Sequence, residues 1–455
     1  MTPAAIGIDF GTTNSVVALA GADGSVTTRS FATKQGAVDA YRSALMFWRE
    51  GRPPATRIAH VSGPDALDMA LGMTTEHRFL QSLKTHLSSR AFQETRLFGK
   101  LFRLEDLIGV FLADTVAGLD GLAETPLVSG RPVVFAGERP DEELALGRLR
   151  TSYTTAGMSH VDFAYEPLGA AYWYARELTQ PQTMLVADFG GGTSDFSVMR
   201  FEPGAAGRLE ATPLSHAGVG VAGDTFDYRI IEHAVSPRLG KGTQYRSFGK
   251  LLPIPAHYHA AFAQWHRLSL MKSRETMAEL KALIRDAVEP DRLEDLLTVI
   301  EYDLGYELYR AVSAAKIALS GADDAVLRFE QTGISIERRI TRADFESWIA
   351  QDVAAIEAAL DLALADAGVG AEAIEAVFMT GGTSHVPAVR ALFDRRFGAG
   401  RIHVGDAFRS VASGLALLAL DRARASGRGL RSAGRLAPAG SQGYITGAGA
   451  GCRAP

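Results

Sequence analysis

Short apolar runs closed by glycine or other small residues recur along the chain, at Ile6–Ile8, Val133–Phe135, Met184–Ala187 and Val377–Met379. Runs of this length between turn residues read as buried strands of a covered sheet. Between Trp265 and Leu319 the apolar spacing becomes helical and strand signals are scarce. A single helix is expected over Arg339–Ala367. Thr341 and Asp344 form a capping pair, Phe345, Ile349, Val353, Ile356 and Leu360 follow at steps of three and four, and Gly368 supplies the stop. The sum is an α/β protein. From 426 to 455 the chain is rich in Arg, Gly and Ala without apolar periodicity, which predicts an unstructured tail.

One segment occurs twice. Ile6-Gly7-Ile8-Asp9-Phe10-Gly11-Thr12-Thr13-Asn14-Ser15-Val16-Val17 is matched by Leu185-Val186-Ala187-Asp188-Phe189-Gly190-Gly191-Gly192-Thr193-Ser194-Asp195-Phe196. Each copy is an apolar strand, an Asp-Phe-Gly turn with small hydroxyl residues, and a second apolar strand. Two such units predict two related lobes facing one another.

The turns suit a polyphosphate. Only glycine lets backbone N–H groups approach phosphate oxygens without a side-chain clash, and Gly11, Gly190, Gly191 and Gly192 provide for it. Thr12, Thr13 and Thr193 add hydroxyl donors. Asp9 and Asp188 stand at the turn mouths, where carboxylates could hold magnesium through waters. A third turn, Thr380-Gly381-Gly382-Thr383-Ser384, precedes Pro387 at the start of a helix and offers room for a ribose or α-phosphate. No Walker-type loop is present, and a hairpin instead of a helix follows each Asp turn, which removes the dinucleotide fingerprint.

Composition narrows the field. The 455 residues carry 47 basic and 52 acidic side chains, a net charge of −5, so a dedicated nucleic-acid binder is not expected. The single cysteine, Cys452, excludes a disulfide framework. No apolar run approaches the roughly 18 residues of a membrane span, and the start lacks a basic leader. A cytoplasmic protein with no membrane partner is expected. His257, His259 and His266 lack the cysteine or carboxylate that would complete a metal set.

These motifs resemble the actin-like ATPase superfamily, and specifically the ATPase domain of DnaK-type heat-shock chaperones. Further segments carry the likeness: Glu166-Pro167-Leu168-Gly169-Ala170-Ala171, Gly218 to Asp227, Ile340 to Glu346, and Gly405-Asp406-Ala407 through Ala416. Leu251–Pro255 and Ile284–Pro290 are similar to the short, YegD-type subgroup, which has no client-binding domain. The likeness ends near Leu420, with no apolar linker or β-rich client domain after it.

The resemblance implies ATP or ADP with Mg²⁺ in a cleft between two lobes with duplicated mixed sheets flanked by helices. Thr12, Thr13 and Thr193 would contact the β- and γ-phosphates, with Gly11, Asn14, Gly190, Gly191 and Gly192 around them. Asp9, Asp188 and Glu166 would hold the metal and the attacking water. Lys84 would be the catalytic lysine, beside Glu166, Asp188, Thr193 and Asp195. Asp195 and Asp224 would help position water and ions, with Gly220 and Gly223 alongside. Lys316, Ser320, Gly381, Gly382, Thr383, His385 and Asp406 would line the nucleoside. The two arginines that sandwich adenine in the chaperones are replaced by Ile317 and His385, so weaker adenine selectivity is expected.

Lobe I is expected over 1–181, with a helical insertion at about 31–103, and is completed by 402–425. Lobe II is expected over 182–401, with a mostly helical insertion at about 226–311. A slowly hydrolysing, chaperone-like switch is the leading function, with a protein partner or client unknown and a monomer favoured. A sugar-type kinase of the same superfamily and a nucleotide-dependent filament or binding module are the alternatives.

Overall fold

The computed structural model describes residues 2–33, 36–51, 55–73, 75–136, 139–175, 178–203, 209–260, 271, 273–302, 304–404 and 409–426. Two mixed sheets form its frame. In the first, the strands run in the order Val161–Tyr165, Leu127–Arg131, Ala5–Phe10, Asn14–Ala20, Val26–Thr28. In the second the order is Ile402–Val404, Ala376–Thr380, Gln182–Phe189, Ser194–Pro203, Leu209–Val219. Each has the same pairing sequence: parallel, parallel, antiparallel, antiparallel. The repeat seen along the chain is therefore a repeat of whole sheets, with an Asp turn at the centre of each. This is the actin-like ATPase fold.

The expected strand at Val133–Phe135 lies instead at Leu127–Arg131, all five residues of which are buried. Ser129 and Gly130 read as a loop in isolation. Buried, Ser129 Oγ is satisfied at 2.6 Å by the Tyr153 hydroxyl, and the polar position becomes compatible with a central strand.

A helix, Arg409–Ala425, leaves the second sheet and packs on the first. A side chain at Gly7 would run into the backbone of Ala412 and Ala416, and one at Gly414 into the Gly169 carbonyl. These glycines let the helix sit directly on the strand Ala5–Phe10 and on the helix Glu166–Ala175. Val16, Val128, Val186, Phe201, Leu415 and Leu420 then share one core across both sheets. Ile402–Val404, expected with the return to lobe I, pairs with Ala376–Thr380 and belongs to the second sheet.

The insertion at 31–103 is not helical. It holds a three-stranded antiparallel sheet, Arg57–Ser62, Ala44–Glu50 and His77–Gln81, with the α-helix Pro64–Gly72 against it. Ala44-Leu45-Met46-Phe47 explains the difference. Leu45 and Phe47 face one core cluster and Ala44 and Met46 another, so a continuous apolar run serves a strand covered on both faces. The insertion of the second lobe carries the helices Arg274–Asp286, Pro290–Glu301 and Gly305–Gly321 and the hairpin Gln244–Ser247/Lys250–Pro253.

The helix expected over Arg339–Ala367 is a strand and two helices. Strand Ile334–Thr341 ends at the capping box of Thr341 and Asp344; Arg342–Trp348 and Ala350–Ala367 follow, broken at the buried Ile349. Gly368, at φ 67°, closes the second helix in the left-handed conformation. No described helix is long and apolar enough to cross a membrane.

Candidate functional site

The two Asp turns meet. A methyl group on Gly191 would lie 3.3 Å from Thr13 Oγ1 of the opposite turn and 3.3 Å from Asp224 Oδ2. The first turn is closed by Gly11, where a side chain would strike the Asn14 carbonyl. The second is closed by the Gly190 N–H donating to the Thr193 carbonyl at 2.8 Å. Ser43 braces the first turn from the insertion: its Oγ donates to the Gly11 carbonyl at 2.7 Å and its N–H to the Thr13 carbonyl at 2.8 Å. Nothing in the motif marks Ser43; it arrives through the neighbouring strand Tyr41–Arg42, which pairs with Asn14 and Ser15.

Lys84 comes from a 3₁₀ turn, Leu83–His86, entered through Ser82 at φ 58°. Its Nζ lies 2.6 Å from Glu166 Oε1, with both side chains largely withdrawn from solvent. Burial disfavours the ammonium, but Glu166 and Asp9 outweigh it and the lysine pKa is raised. Asp9 is pushed up to about 7 by loss of hydration first and by Glu166 and Asp188 next, with Lys84 opposing. Burial likewise raises Glu166, against the pull of Lys84. Asp195 is raised to about 6 by burial and by Asp188, although Thr193 Oγ1 donates to it at 2.8 Å. Asp188 accepts from Thr380 Oγ1 at 2.6 Å. Behind Asp195, His216 Nε2 stands 3.6 Å from its Oδ1, and His216 Nδ1 is 3.1 Å from Ser197 Oγ.

Asp9, Lys84 and Glu166 from one half thus share an electrostatic field with Asp188 and Asp195 from the other. Asp9 and Asp195, whose carboxyls burial and then neighbouring carboxylates push up to about 7 and about 6, are short of positive charge, which suits a hard cation. Among the described residues no set of three ligands closes directly on one ion. One or two carboxylates with waters and phosphate oxygens fit better.

A second cluster adjoins the first. Asp224 N–H donates to the Gly191 carbonyl at 2.8 Å, tying the helix Gly223–Ile230 to the turn. Lys316 Nζ donates to the Gly223 carbonyl at 3.0 Å and to Asp227 Oδ2 at 2.7 Å. A methyl on Gly223 would touch Lys316 Nζ and Thr383 Oγ1, both at 3.4 Å. Asp227 is raised to about 6 by burial, against Lys316, and its Oδ1 is buried with no hydrogen-bond partner. Gly381, at φ 87°, abuts the Phe189 carbonyl so closely that no side chain would fit. The third turn is thereby seated on the strand leading into the second.

The structure therefore gathers Thr13, Gly191, Asp224, Gly223, Lys316 and Thr383 along one line. Gly220 and Gly382 face open space, and among the described residues Ser320 Oγ bonds only to the Lys316 carbonyl, at 3.4 Å. Ile317 and His385 are both exposed. Asp406 lies outside the described residues. Ser43, Thr380, His216 and Asp227 are site residues that the motifs did not single out. Thr380 and Asp227 fall within quoted motifs, where their types alone could have marked them.

A family model described as Hsp70 protein matches residues 150–243 and 303–420. The chaperone protein DnaK of Thermotoga neapolitana is 25% identical over 398 residues, which is 86% of this chain and 55% of the relative. DnaK of Thermotoga petrophila and of Thermotoga maritima match to the same extent. The chain spans about half the length of these curated relatives.

Proposed function

We propose that this chain, which carries a DnaK-type Hsp70 ATPase domain, binds ATP with magnesium between its two Asp turns and hydrolyses it slowly, with lobe closure as the output. The meeting of the turns supports this most: Gly191 stands against Thr13, so one triphosphate would touch both halves at once. Closure then follows from binding, because each half supplies part of the grip.

Magnesium, when bound, supplies neutralisation of the polyphosphate charge. Asp9 and Asp188 would hold it, with Glu166 behind them. Lys84, kept cationic by Glu166 and Asp9, is placed to stabilise charge developing on the transferred phosphoryl group. Positioning and charge stabilisation are most of what phosphoryl transfer requires. Thr12, Thr13 and Thr193 with the turn N–H groups hold phosphate oxygens. Asp195, held by Thr193, orients water. Lys316, Ser320, Gly381, Gly382, Thr383 and His385 border the nucleoside, and the orphaned Asp227 Oδ1 waits for a donor there. Exposed Ile317 and His385 provide no guanidinium stack, so discrimination between ATP and GTP is weak. The YegD-type subgroup and a cytoplasmic setting are part of this proposal, on the segments Leu251–Pro255 and Ile284–Pro290.

Calorimetric titration with ATP and with GTP, each with magnesium and with chelator, tests the site. Magnesium-dependent binding of both nucleotides is expected, together with altered protease sensitivity of the ATP-bound protein. Binding indifferent to chelator, or strict adenine selectivity, counts against it. Turnover raised by saturating sugars or polyols would move the assignment to a kinase, and ATP-dependent pelleting to a filament.

A further inference from the structure

A second internal repeat links the two insertions. Arg96-Leu97-Phe98-Gly99-Lys100-Leu101-Phe102 and Arg246-Ser247-Phe248-Gly249-Lys250-Leu251-Leu252 share Arg, Phe, Gly, Lys and Leu at the same places. Both form two-residue hairpins in one register: Leu97 opposite Lys100 and Arg96 opposite Leu101, Ser247 opposite Lys250 and Arg246 opposite Leu251. In both, Phe and Gly take positive φ, 51° and 88° in the first, 47° and 76° in the second. Such turns favour Asn-Gly, and a bulky aromatic there is strained.

The first copy offsets that strain inside the fold. Phe98 packs against the lobe I core, with the Arg49 guanidinium 5.5 Å from its ring centre and Arg49 Nη2 donating to its carbonyl at 3.4 Å. The second copy has no such cover. Phe248 is 104% exposed and every residue of Lys250–Pro253 is exposed, so the hairpin tip and its outer strand stand clear of the body, while Tyr245 of the other strand anchors the hairpin on the second lobe's core. Leu251, Leu252 and, beside the hairpin base, Val288 are exposed too. These four are over a third of the eleven large apolar side chains exposed among the described residues, which makes the hairpin a patch instead of scattered surface. Arg246 and Lys250 are exposed, and neither has a carboxylate partner among the described residues. A strained, unburied aromatic draws no packing energy from the folded chain, which points to a use outside it.

We infer that the Phe248 hairpin is a docking prong for a protein partner that offers an apolar pocket for Phe248, rimmed by carboxylates for Arg246 and Lys250. Magnitude selects a protein over a bilayer. Leu251 and Leu252, as successive strand residues, point to opposite faces of the ribbon, so the ring could enter a bilayer with only one of them beside it, and with two cations this gives no more than the marginal membrane affinity of a single myristoyl chain. In a protein pocket one desolvated aromatic anchor with charged flanks can carry most of an interface.

The probe is a phage-displayed library of 12-residue peptides, selected on the full chain and counter-selected on Phe248→Asp, with enriched sequences synthesised and titrated. Peptides that combine an apolar residue with Asp or Glu are expected. Their binding should weaken with salt and fall about tenfold or more in Phe248→Asp and in the Arg246→Glu/Lys250→Glu double variant. Thermal midpoints are the control: Phe248→Asp should leave stability unchanged or slightly raised, since Asp-Gly suits this turn, whereas Phe98→Asp should lower it. Four results would overturn the proposal. They are peptides that bind Phe248→Asp equally well, destabilisation by Phe248→Asp, Phe248-dependent flotation with phosphatidylcholine vesicles containing 30% phosphatidylserine, and Phe248-dependent self-association in sedimentation.

Discussion

The Asp9 turn and the Asp188 turn occupy the same place in equivalent sheets, yet their surroundings differ. The first is half-buried and braced: Ser43 holds two of its carbonyls, and Lys84 and Glu166 stand behind Asp9. In the second, Gly190, Gly192 and Thr193 are exposed, and among the described residues Asp188 is steadied by one hydroxyl, Thr380. The difference suggests a division of labour. On the proposed function, the first lobe would supply fixed charge and the second a more exposed, glycine-rich flap to close on the phosphates.

Removing the fixed charge tests this comparison most severely. Lys84→Ala should lower ATP turnover about 10²-fold or more while ATP binding survives, and single-turnover hydrolysis reads it directly. Unchanged turnover would move the charge-stabilising role elsewhere. Because the variant strands Glu166, Lys84→Met should be measured alongside it for stability. Next in size, Asp188→Asn should weaken magnesium-dependent ATP affinity about tenfold, measured by calorimetry with and without chelator. An equal affinity in both conditions would remove Asp188 from the metal site.

Glycine substitution separates the turns without touching charge. Gly11→Ala drives a methyl into the Asn14 carbonyl, whereas Gly192→Ala points into open space. The first should cost about 1–3 kcal/mol in chemical denaturation and the second close to none. Equal losses would mean the second turn is as tightly built as the first.

The smallest effect is a pH dependence. Asp9 has its folded pKa raised to about 7 from 3.8. Its stability contribution is therefore full below about pH 4 and is lost as pH rises through 7. Asp9→Asn, without nucleotide or metal, should raise the thermal midpoint at pH 8 and leave it nearly unchanged at pH 4. A shift of the same size at both values would show that Asp9 does not hold its proton into the neutral range.

Part of this site is legible from residues alone. Gly11, Gly190 and Gly381 announce close backbone approach, and Asp9 and Asp188 mark turn mouths, because a tight turn constrains its own few residues. Thr341, Asp344 and Gly368 mark helix ends for the same reason. Lys84 could be named only through resemblance. Its pairing with Glu166 spans 82 positions, and no local pattern encodes that. The insertion at 31–103 reads as helical yet folds largely as sheet, because an apolar run states that residues are covered without stating by what.

The order of apolar runs and glycines thus determined two duplicated turns, the strands that carry them and the caps of the helices, all of which depend on neighbours along the chain. Tertiary structure alone decided that the turns confront each other, that Ser43 braces one of them, that burial pushes the Asp9 carboxyl up, and that Phe98 is covered while Phe248 is not. Hydration and electrostatic coupling depend on what distant segments bring into contact. Two nearly identical heptapeptides therefore have different surroundings.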